Sequence, residues 1–285
     1  MAELPSAREI ESQAVTERPP RRRVIPAPPG EVPAMLRRRG FHPLETRPDL
    51  PFPPDLAGET ADQLADLLGH YAFRLFLRGA IQRAEGFAPG QTTRYLESSQ
   101  ARAYADALVS MGLAECLARG RYRLLWPARS FGGILEWYVA RELRQRLAYD
   151  VASGVKLQTR GVGGDFDIIA AGEGKLIYIE LKSSPPKNLS AAEVNAFADR
   201  LQLLRPDIGL FVVDTALRLS DKIVPMLLAE IGRRRTEPLG PPRRVKQELW
   251  VLTPHLYAVN GRRDLMANIG CAIAEGLRAL APAPF

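Results

Sequence analysis

Apolar and polar residues alternate along this chain with two different periods, and the change of period separates its predicted strands from its predicted helices. Residues 175–182 are rich in β-branched and apolar types and follow a Gly-rich turn at residues 171–174, as is typical of a strand that leaves a tight turn. Because strand side chains alternate between faces, Glu180 and Lys182 lie on one face and Leu181 lies on the other.

The strand that precedes this turn carries two aspartates. Asp165, Asp167 and Ile169 share one face of it, and an antiparallel hairpin brings Asp167 close to Glu180. Two carboxylates that converge on one point repel each other unless a cation lies between them. Hard oxygen ligands that leave room for water and phosphate suit Mg²⁺ or Mn²⁺. The pattern therefore predicts a divalent-metal site at this end of the hairpin.

Helical and strand patterns continue on both sides of the hairpin. An apolar stripe with a spacing of four residues predicts a helix that contains Leu135, Val139 and Leu143, with Glu136 beside the stripe near the helix start. The other predicted elements of this half are a strand at residues 155–160, a helix at residues 190–204 with Ser190 as its N-cap, a strand at residues 208–213, a helix at residues 217–235 interrupted at Pro225, strands at residues 248–252 and 256–259, and a helix at residues 264–280.

Asp167, Glu180 and Lys182, in Asp-Ile-Ile followed by Ile-Glu-Leu-Lys, resemble the motif of the PD-(D/E)XK nuclease superfamily, which has the restriction-endonuclease-like fold. The resemblance implies an α/β fold with an α-β-β-β-α-β core and a mixed sheet. It also implies that Asp167 and Glu180 hold one or two Mg²⁺ or Mn²⁺ ions, that Glu136 completes the site, and that Lys182 orients or activates the attacking water.

Two departures from the family pattern lie in the first strand of the motif. Phe166 stands where many members have proline, and Asp165 competes with Asp167 for the metal. Asp167 is favoured because the Ile-Ile run follows it directly. The function implied is a metal-dependent nuclease that hydrolyses phosphodiester bonds in DNA, either structure-specific or part of a defence or restriction system. RNA stays open as the substrate. The alternative is a catalytically inactive nucleic-acid-binding or assembly scaffold with the same fold.

The region before the motif divides into two predicted parts. Residues 59–128 show three helical segments, the first at residues 61–84, and then a hairpin at residues 113–125, which resembles a winged-helix-like α+β domain in pattern. In such domains the third helix enters the major groove and the wing touches phosphates, so the predicted DNA contacts are Arg102 on that helix and Arg119, Arg121 and Arg123 on the wing. Winged helices also mediate protein contacts, which leaves that alternative open.

Residues 1–58 hold 12 of the 24 prolines together with two runs of three arginines. Such a segment buries little and is predicted to be extended or disordered, either as a tail or as a basic arm that wraps nucleic acid or a partner. Residues 129–285 form the predicted nuclease-like domain. Within it, the Pro- and Arg-rich residues 233–246 read as a loop whose Arg243 and Arg244 clamp a phosphate backbone, or else as a solubilising surface.

Composition and charge indicate which kinds of partner and compartment suit the chain. The net charge is +7, and residues 129–285 carry 22 basic and 17 acidic side chains, which suits a polyanionic partner. Cys116 and Cys271 lie far apart among apolar or small residues and are predicted to be buried free thiols in a reducing compartment. Neither a signal-peptide pattern nor a membrane-length apolar run is present, so the expectation is a cytoplasmic protein without a membrane partner. Many members of the restriction-endonuclease-like fold cut two strands as dimers, and this resemblance makes a homodimer or larger assembly one option.

Overall fold

A computed structural model of the chain describes residues 30–45, 49–53, 55–56, 58–83, 85–157, 164–246 and 248–282. Helices and strands mix along these residues in an α/β arrangement. The helices are α1 Glu31–Arg38, α2 Gly58–Gly69, α3 Tyr71–Ile81, α4 Ser98–Ser110, α5 Gly132–Leu147, α6 Ala191–Leu204, α7 Ile223–Arg233 and α8 Leu265–Leu280. The strands are β1 Pro43–Glu45, β2 Ala114–Leu117, β3 Arg121–Leu124, β4 Asp150–Leu157, β5 Phe166–Gly172, β6 Lys175–Lys182, β7 Ile208–Val213, β8 Arg243–Lys246, β9 Leu249–Thr253 and β10 Leu256–Asn260.

One large mixed sheet organises the fold, with its eight strands in the order β1-β4-β5-β6-β7-β10-β9-β8. The pairs β6–β7 and β7–β10 are parallel, and the remaining neighbours are antiparallel. All residues of β7 and β10 are buried, as expected for central parallel strands that are covered on both faces. One face packs against α5 and α8, and the opposite face packs against α1, α6 and α7.

Several predicted elements are confirmed. The order helix, three strands, helix, strand is present as α5, β4, β5, β6, α6 and β7. Helix α6 begins with a complete capping box, in which Ser190 accepts from the backbone N–H of Glu193 and the Glu193 side chain accepts from the backbone N–H of Ser190. The strand predicted at residues 155–160 begins earlier, at Asp150, and residues 158–160 lie outside the described part of the chain.

Two predicted helices have different bounds in the structure. The helix predicted at residues 61–84 is broken into α2 and α3 at Gly69, where the Arg74 side chain donates to the carbonyls of Leu68 and Gly69 and thereby satisfies the end of α2. The helix predicted from residue 217 begins only at Ile223. Pro225 falls in its first turn, where a missing N–H removes no helical hydrogen bond, so it does not interrupt α7.

The expectation of an extended arm over residues 1–58 is wrong for residues 30–45, and residues 1–29 lie outside the described part of the chain. Helix α1 buries Val32 and Leu36 against the main sheet, and β1 pairs with β4. The Asp150 carboxylate accepts from the backbone N–H of Val32 at 2.6 Å, which holds the start of α1. The apolar face of this helix spans only eight residues inside a Pro-rich segment, which hid it in the sequence pattern.

The helices of residues 59–128 pack directly on the main sheet. The same apolar core contains Phe73 and Phe76 from α3, Leu108 from α4, and Ile177 and Val212 from the sheet. Three helices and the β2–β3 hairpin occupy this region, while its winged-helix assignment and the domain boundaries stay predictions. None of the helices in the described residues is long and apolar enough to cross a membrane.

The burial predicted for the two cysteines is wrong. Along β2 only Ala114 is buried, and Cys116, two residues closer to the turn, is exposed. Cys271 on α8 is half-buried against the core.

Candidate functional site

The predicted convergence of Asp167 and Glu180 is present at the open end of the β5–β6 hairpin. Ile168 pairs with Ile179 in the antiparallel ladder, so the next residues along the two strands are Asp167 and Glu180. One carboxylate oxygen of Asp167 accepts from the backbone N–H of Leu181 at 2.7 Å, which fixes its orientation toward β6. Burial and the neighbouring Glu180 together raise the pKa of Asp167 to about 7, because its charged form is poorly solvated and repelled.

Glu180 is buried and its carboxylate is surrounded by donors. One guanidinium nitrogen of Arg200 lies 3.1 and 3.0 Å from the two carboxylate oxygens, and Lys182 Nζ lies 2.8 Å from one of them. The Tyr178 hydroxyl donates to the other oxygen. Burial and Glu180 raise the pKa of Tyr178 well above its ordinary value, so the phenol keeps its proton for this bond. Two cations and one hydroxyl therefore neutralise a carboxylate that has little access to water.

Lys182 lies at the end of β6 on the same face as Glu180, as the alternation predicts. Its ammonium group also lies 3.7 Å from the carboxylate of Glu193 on α6. Burial alone lowers the pKa of Lys182, but the carboxylates of Glu180, Asp167 and Glu193 outweigh this effect and the pKa is raised overall. Lys182 is therefore a stable cation at the mouth of the site, with about a fifth of its side chain exposed.

Glu136 approaches the same carboxylates from α5. Burial raises its pKa to about 8, and the charges of Asp167, Asp165 and Glu180 raise it in the same direction. The α5 backbone packs on β4, β5 and β6, which places this second-turn residue near the open end of the hairpin. Asp165 is half-buried and pairs with Lys156 of β4 at 3.5 Å, which makes it the more solvated of the two aspartates.

The carboxylates form an acidic cluster without forming a three-ligand metal site in this conformation. Among the described residues, no group of three or more His, Cys, Asp or Glu side chains is placed to hold an ion. Burial and neighbouring acids nevertheless raise both pKa values: Asp167 is the acid that contributes most at Glu136, and Glu180 contributes at Asp167. Oxygen donors that repel one another in this way match the chemistry of Mg²⁺, which binds through one or two carboxylates together with waters and substrate phosphates.

Arg200 and Tyr178 are parts of the site that the sequence pattern did not identify. Arg200 lies three residues after Phe197 and four residues before Leu204, both buried, so it sits on the apolar face of α6. A charge on such a face needs a buried partner, and this is the signal that was available in the sequence. Tyr178 lies on the same face of β6 as Glu180. Its hydroxyl, in the largely apolar stretch before Glu180, was the signal in the sequence for a role in the site.

The predicted wing arginines lie on one surface of the β2–β3 hairpin. Arg121 and Arg123 are exposed on β3, whereas Tyr122 and Leu124 between and beyond them are buried. Arg123 forms an ion pair with Glu115 on β2 at 2.6 Å, and Arg121 donates to the carbonyl of Gly86.

Helix α4 is attached to this hairpin. The hydroxyl of Tyr122 donates to Asp106 at 2.6 Å, and Asp106 also lies 3.9 Å from the exposed Arg102. The structure therefore brings Arg102, Arg121 and Arg123 onto one connected part of the molecule, while Arg119 occupies the tight turn with a φ of 60°.

Arg243 and Arg244 do not lie in a loop, as the Pro-rich context suggested. They belong to β8, the edge strand of the main sheet, and pair in register with Val251 and Trp250 of β9. Arg243 also forms an ion pair with Glu275 of α8 at 2.9 Å. The charged side chains occupy an edge that would otherwise invite pairing with another chain. The loop prediction is wrong for residues 243–246 because the prolines end at residue 242.

No protein-family model matches the sequence, and no curated protein matches it. Among solved structures, protein VC1899 from Vibrio cholerae is similar with a TM-score of 0.50 and 16% sequence identity, and the match covers 83% of this chain and 60% of that chain. The chain thus spans less than two thirds of the Vibrio protein, and at this identity the likeness concerns the fold. Can2 from Sulfobacillus thermosulfidooxidans, solved in complex with cyclic tetra-adenylate, gives a TM-score of 0.38 at 18% identity over 55% of this chain and 47% of that chain, which is too low to support an argument.

Proposed function

We propose that this protein is a metal-dependent nuclease of the PD-(D/E)XK type, with a restriction-endonuclease-like core formed by α5, β4, β5, β6, α6 and β7. The observation that carries the proposal is the convergence of Asp167, Glu180 and Lys182 at one end of the β5–β6 hairpin, with Glu136 of α5 beside them. This is an acidic cluster with a single lysine at its mouth, and it matches the chemistry of phosphodiester hydrolysis.

Asp167 and Glu180 are the proposed ligands of Mg²⁺ or Mn²⁺, and Glu136 is the proposed third member of the site. When bound, the ion would supply charge stabilisation for the phosphoryl oxygens and a lower pKa for an attacking water. The backbone N–H of Leu181 holds the Asp167 carboxylate in place, so this ligand is positioned before any ion arrives. Raised pKa values at Asp167 and Glu136 support a site that gains stability from a cation.

Lys182 is the proposed catalytic cation. Its ammonium group is charged, partly exposed and fixed by Glu180 and Glu193. A positive group in that position orients a water through its N–H donors and offsets the negative charge that develops on the phosphoryl group. The proposed substrate is DNA, in keeping with the net charge of +7, and RNA is the alternative polyanion.

A second candidate function has its own supporting observation. Arg200, Lys182 and Tyr178 already satisfy the Glu180 carboxylate without an ion. Such an internally neutralised cluster needs no ion, which would suit a protein that binds nucleic acid without cutting it. The nuclease is preferred because, within the described part of the chain, the Asp167 carboxylate accepts a hydrogen bond only from the backbone N–H of Leu181. The charges of Glu180 and Glu136 interact with Asp167.

The test is cleavage of a labelled panel in Mg²⁺ or Mn²⁺ by the wild-type chain and by Glu180→Ala. The panel holds single-stranded, duplex, flap and four-way-junction DNA together with RNA. Cleavage by the wild type and not by the variant supports the nuclease and identifies the preferred structure. Glu230→Ala is the matched control, because Glu230 is also a buried glutamate held by two arginines but lies on α7, outside the cluster. Absent cleavage with retained binding favours the scaffold.

A further inference from the structure

Two cavities meet at Leu217, in the irregular segment that follows β7. One, of about 570 Å³, lies between the helical region and this segment, and the other, of about 780 Å³, continues on its far side. Both are lined by Lys187, Ala216 and Leu217, so together they form one continuous depression, which we call the Leu217 groove. Volumes of this size are typical of ligand-binding clefts.

The first half of the Leu217 groove is aromatic and apolar. Tyr71, Tyr95 and Leu96 line it, and Tyr95 is 66% exposed while Leu217 is 58% exposed. The Tyr95 ring is held in position because the Arg94 guanidinium lies 4.9 Å from the ring centroid and donates to the phenol oxygen at 2.8 Å. An exposed ring that is fixed beside an exposed leucine offers a flat apolar platform to a ligand.

The second half is basic. It is lined by Lys187, Arg218, Lys222 and Arg262, with Asp221 as the opposing charge. Lys222 has a structural role, because its ammonium group donates to the carbonyls of Lys187 and Leu189 at 2.9 and 2.7 Å. Within the described part of the chain, Lys187, Arg218 and Arg262 form no ion pair, so their charges are available to an anion.

The backbone links the groove to the end of β6, where Lys182 lies. Pro185 lines its aromatic half and lies three residues after Lys182. Asp214, which also lines this half, donates its backbone N–H to the carbonyl of Lys182 at 2.8 Å. The Leu217 groove and Lys182 therefore lie at the same end of the neighbouring strands β6 and β7.

We propose that the Leu217 groove binds an unpaired stretch of nucleic acid, with one base stacked on Tyr95 and the adjoining phosphates along Lys187, Arg218 and Arg262. An aromatic platform joined to a positively charged track is the combination that binds single strands, because base faces are accessible only outside a duplex. This inference deepens the proposed function, on which it rests for the nature of the polymer, by assigning its substrate an unpaired segment next to the scissile phosphate.

Binding is measured in EDTA by fluorescence anisotropy, with single-stranded DNA, single-stranded RNA and duplex DNA of one sequence. We expect the wild type to bind a single strand more tightly than the duplex, and the DNA and RNA arms show which backbone is preferred. Tyr95→Ala weakens single-strand binding about 5- to 150-fold, which is the range for the loss of one stacked base, and leaves its salt dependence unchanged. Tyr95→Phe, which keeps the ring, retains the affinity.

The charge contribution is tested separately. Arg218→Ala with Arg262→Ala lowers the slope of log K against log salt by about 1.4 for a single strand, since each phosphate contact contributes about 0.7. The matched control is Arg146→Ala with Arg278→Ala, which removes the same charge from exposed positions on α5 and α8 that are assigned no contact with nucleic acid, and it leaves the slope unchanged.

The outcomes separate this inference from the proposed function. If Tyr95→Ala binds single strands as tightly as the wild type, or if no oligonucleotide binds, the groove assignment is overturned whatever the cleavage panel gives. If Tyr95-dependent binding is present but neither metal supports cleavage, the groove stands and the nuclease proposal fails. All variants involve exposed side chains, and an unchanged unfolding temperature confirms that each one folds.

Discussion

One guanidinium nitrogen of Arg200 lies within 3.1 Å of both carboxylate oxygens of Glu180. The two residues are 20 positions apart and come from α6 and β6, so this pair ties the helix to the strand at the proposed metal ligand. It also means that a metal ion and Arg200 would compete for the same carboxylate. The balance between them can be measured without any nucleic acid.

Arg200→Ala should lower the free energy of unfolding and increase the stabilisation that Mg²⁺ provides. Loss of a charge-assisted hydrogen-bonded partner from a buried carboxylate costs about 1.5–3 kcal/mol, and Mg²⁺ should recover part of this by taking the place of the guanidinium. Thermal unfolding with and without Mg²⁺ measures both effects. Arg234→Ala is the matched control, since it removes an arginine of similar exposure from Asp199 and Glu230. An equal response to Mg²⁺ in both variants would contradict a metal role for Glu180.

Lys182→Ala should reduce turnover more than it reduces metal binding. The lysine contributes a cation near the reacting phosphate, whereas Asp167 and Glu180 are the proposed ligands. Asp167→Ala and Glu180→Ala should therefore lose both properties. Mn²⁺ titration followed by calorimetry gives the affinities, and the cleavage panel gives the turnover. Equal metal affinity in all three variants would show that these roles are misassigned.

The arginines of the β2–β3 hairpin and α4 should contribute to duplex binding through phosphates. Arg102→Ala and Arg121→Ala should each lower the slope of log K against log salt by about 0.9, as expected for one lost contact with duplex DNA. Arg123 should contribute less, because Glu115 already neutralises it. Titrations over a range of salt concentrations give the slopes. Unchanged slopes in the first two variants would favour a protein-contact role for this region.

The edge strand β8 offers a separate electrostatic test. Changing Arg243 and Arg244 to alanine together should weaken DNA binding and lower the salt slope by about 1.8 if both reach phosphates. Because Arg243 is paired with Glu275 in the free protein, most of the effect should come from Arg244. Single variants measured alongside the double variant separate the two contributions. An unchanged affinity would leave β8 as a charged edge that prevents strand pairing.

Asp214→Ala should destabilise the fold strongly. Asp214 is fully buried after β7, where it accepts from Arg74 and Arg78 of α3, each at 2.9 Å. Removing it leaves Arg74 buried without its counter-charge, which costs about 3–5 kcal/mol. Urea unfolding measures the loss, and Asp214→Asn should retain part of the stability. Glu237→Ala, which breaks an exposed pair with Arg235, serves as the control and should change stability by less than about 0.5 kcal/mol.

Local sequence patterns predicted the helices and strands around the acidic cluster. They missed the features that depend on contacts between elements distant in sequence. The alternation at residues 175–182 predicted β6 and the shared face of Glu180 and Lys182, and the Ser190 cap predicted α6. Arg200 was missed because its partner is on another element, and sequence spacing carries no information about which side chains meet across a helix and a sheet. Helix α1 was missed because its apolar face spans only eight residues inside a Pro-rich segment, and its burial depends on the sheet that covers it.

The Arg74–Asp214 pair has a consequence for how sequences of this kind can change over time. Replacement of either residue alone leaves a buried charge without a partner, so the two positions are expected to be kept or exchanged together among relatives. Since one lies on α3 and the other follows β7, the helices before residue 128 cannot be exchanged for an unrelated module by recombination without a matching change in the sheet. Correlated substitutions at positions 74 and 214 among related sequences would be the expected sign of that constraint.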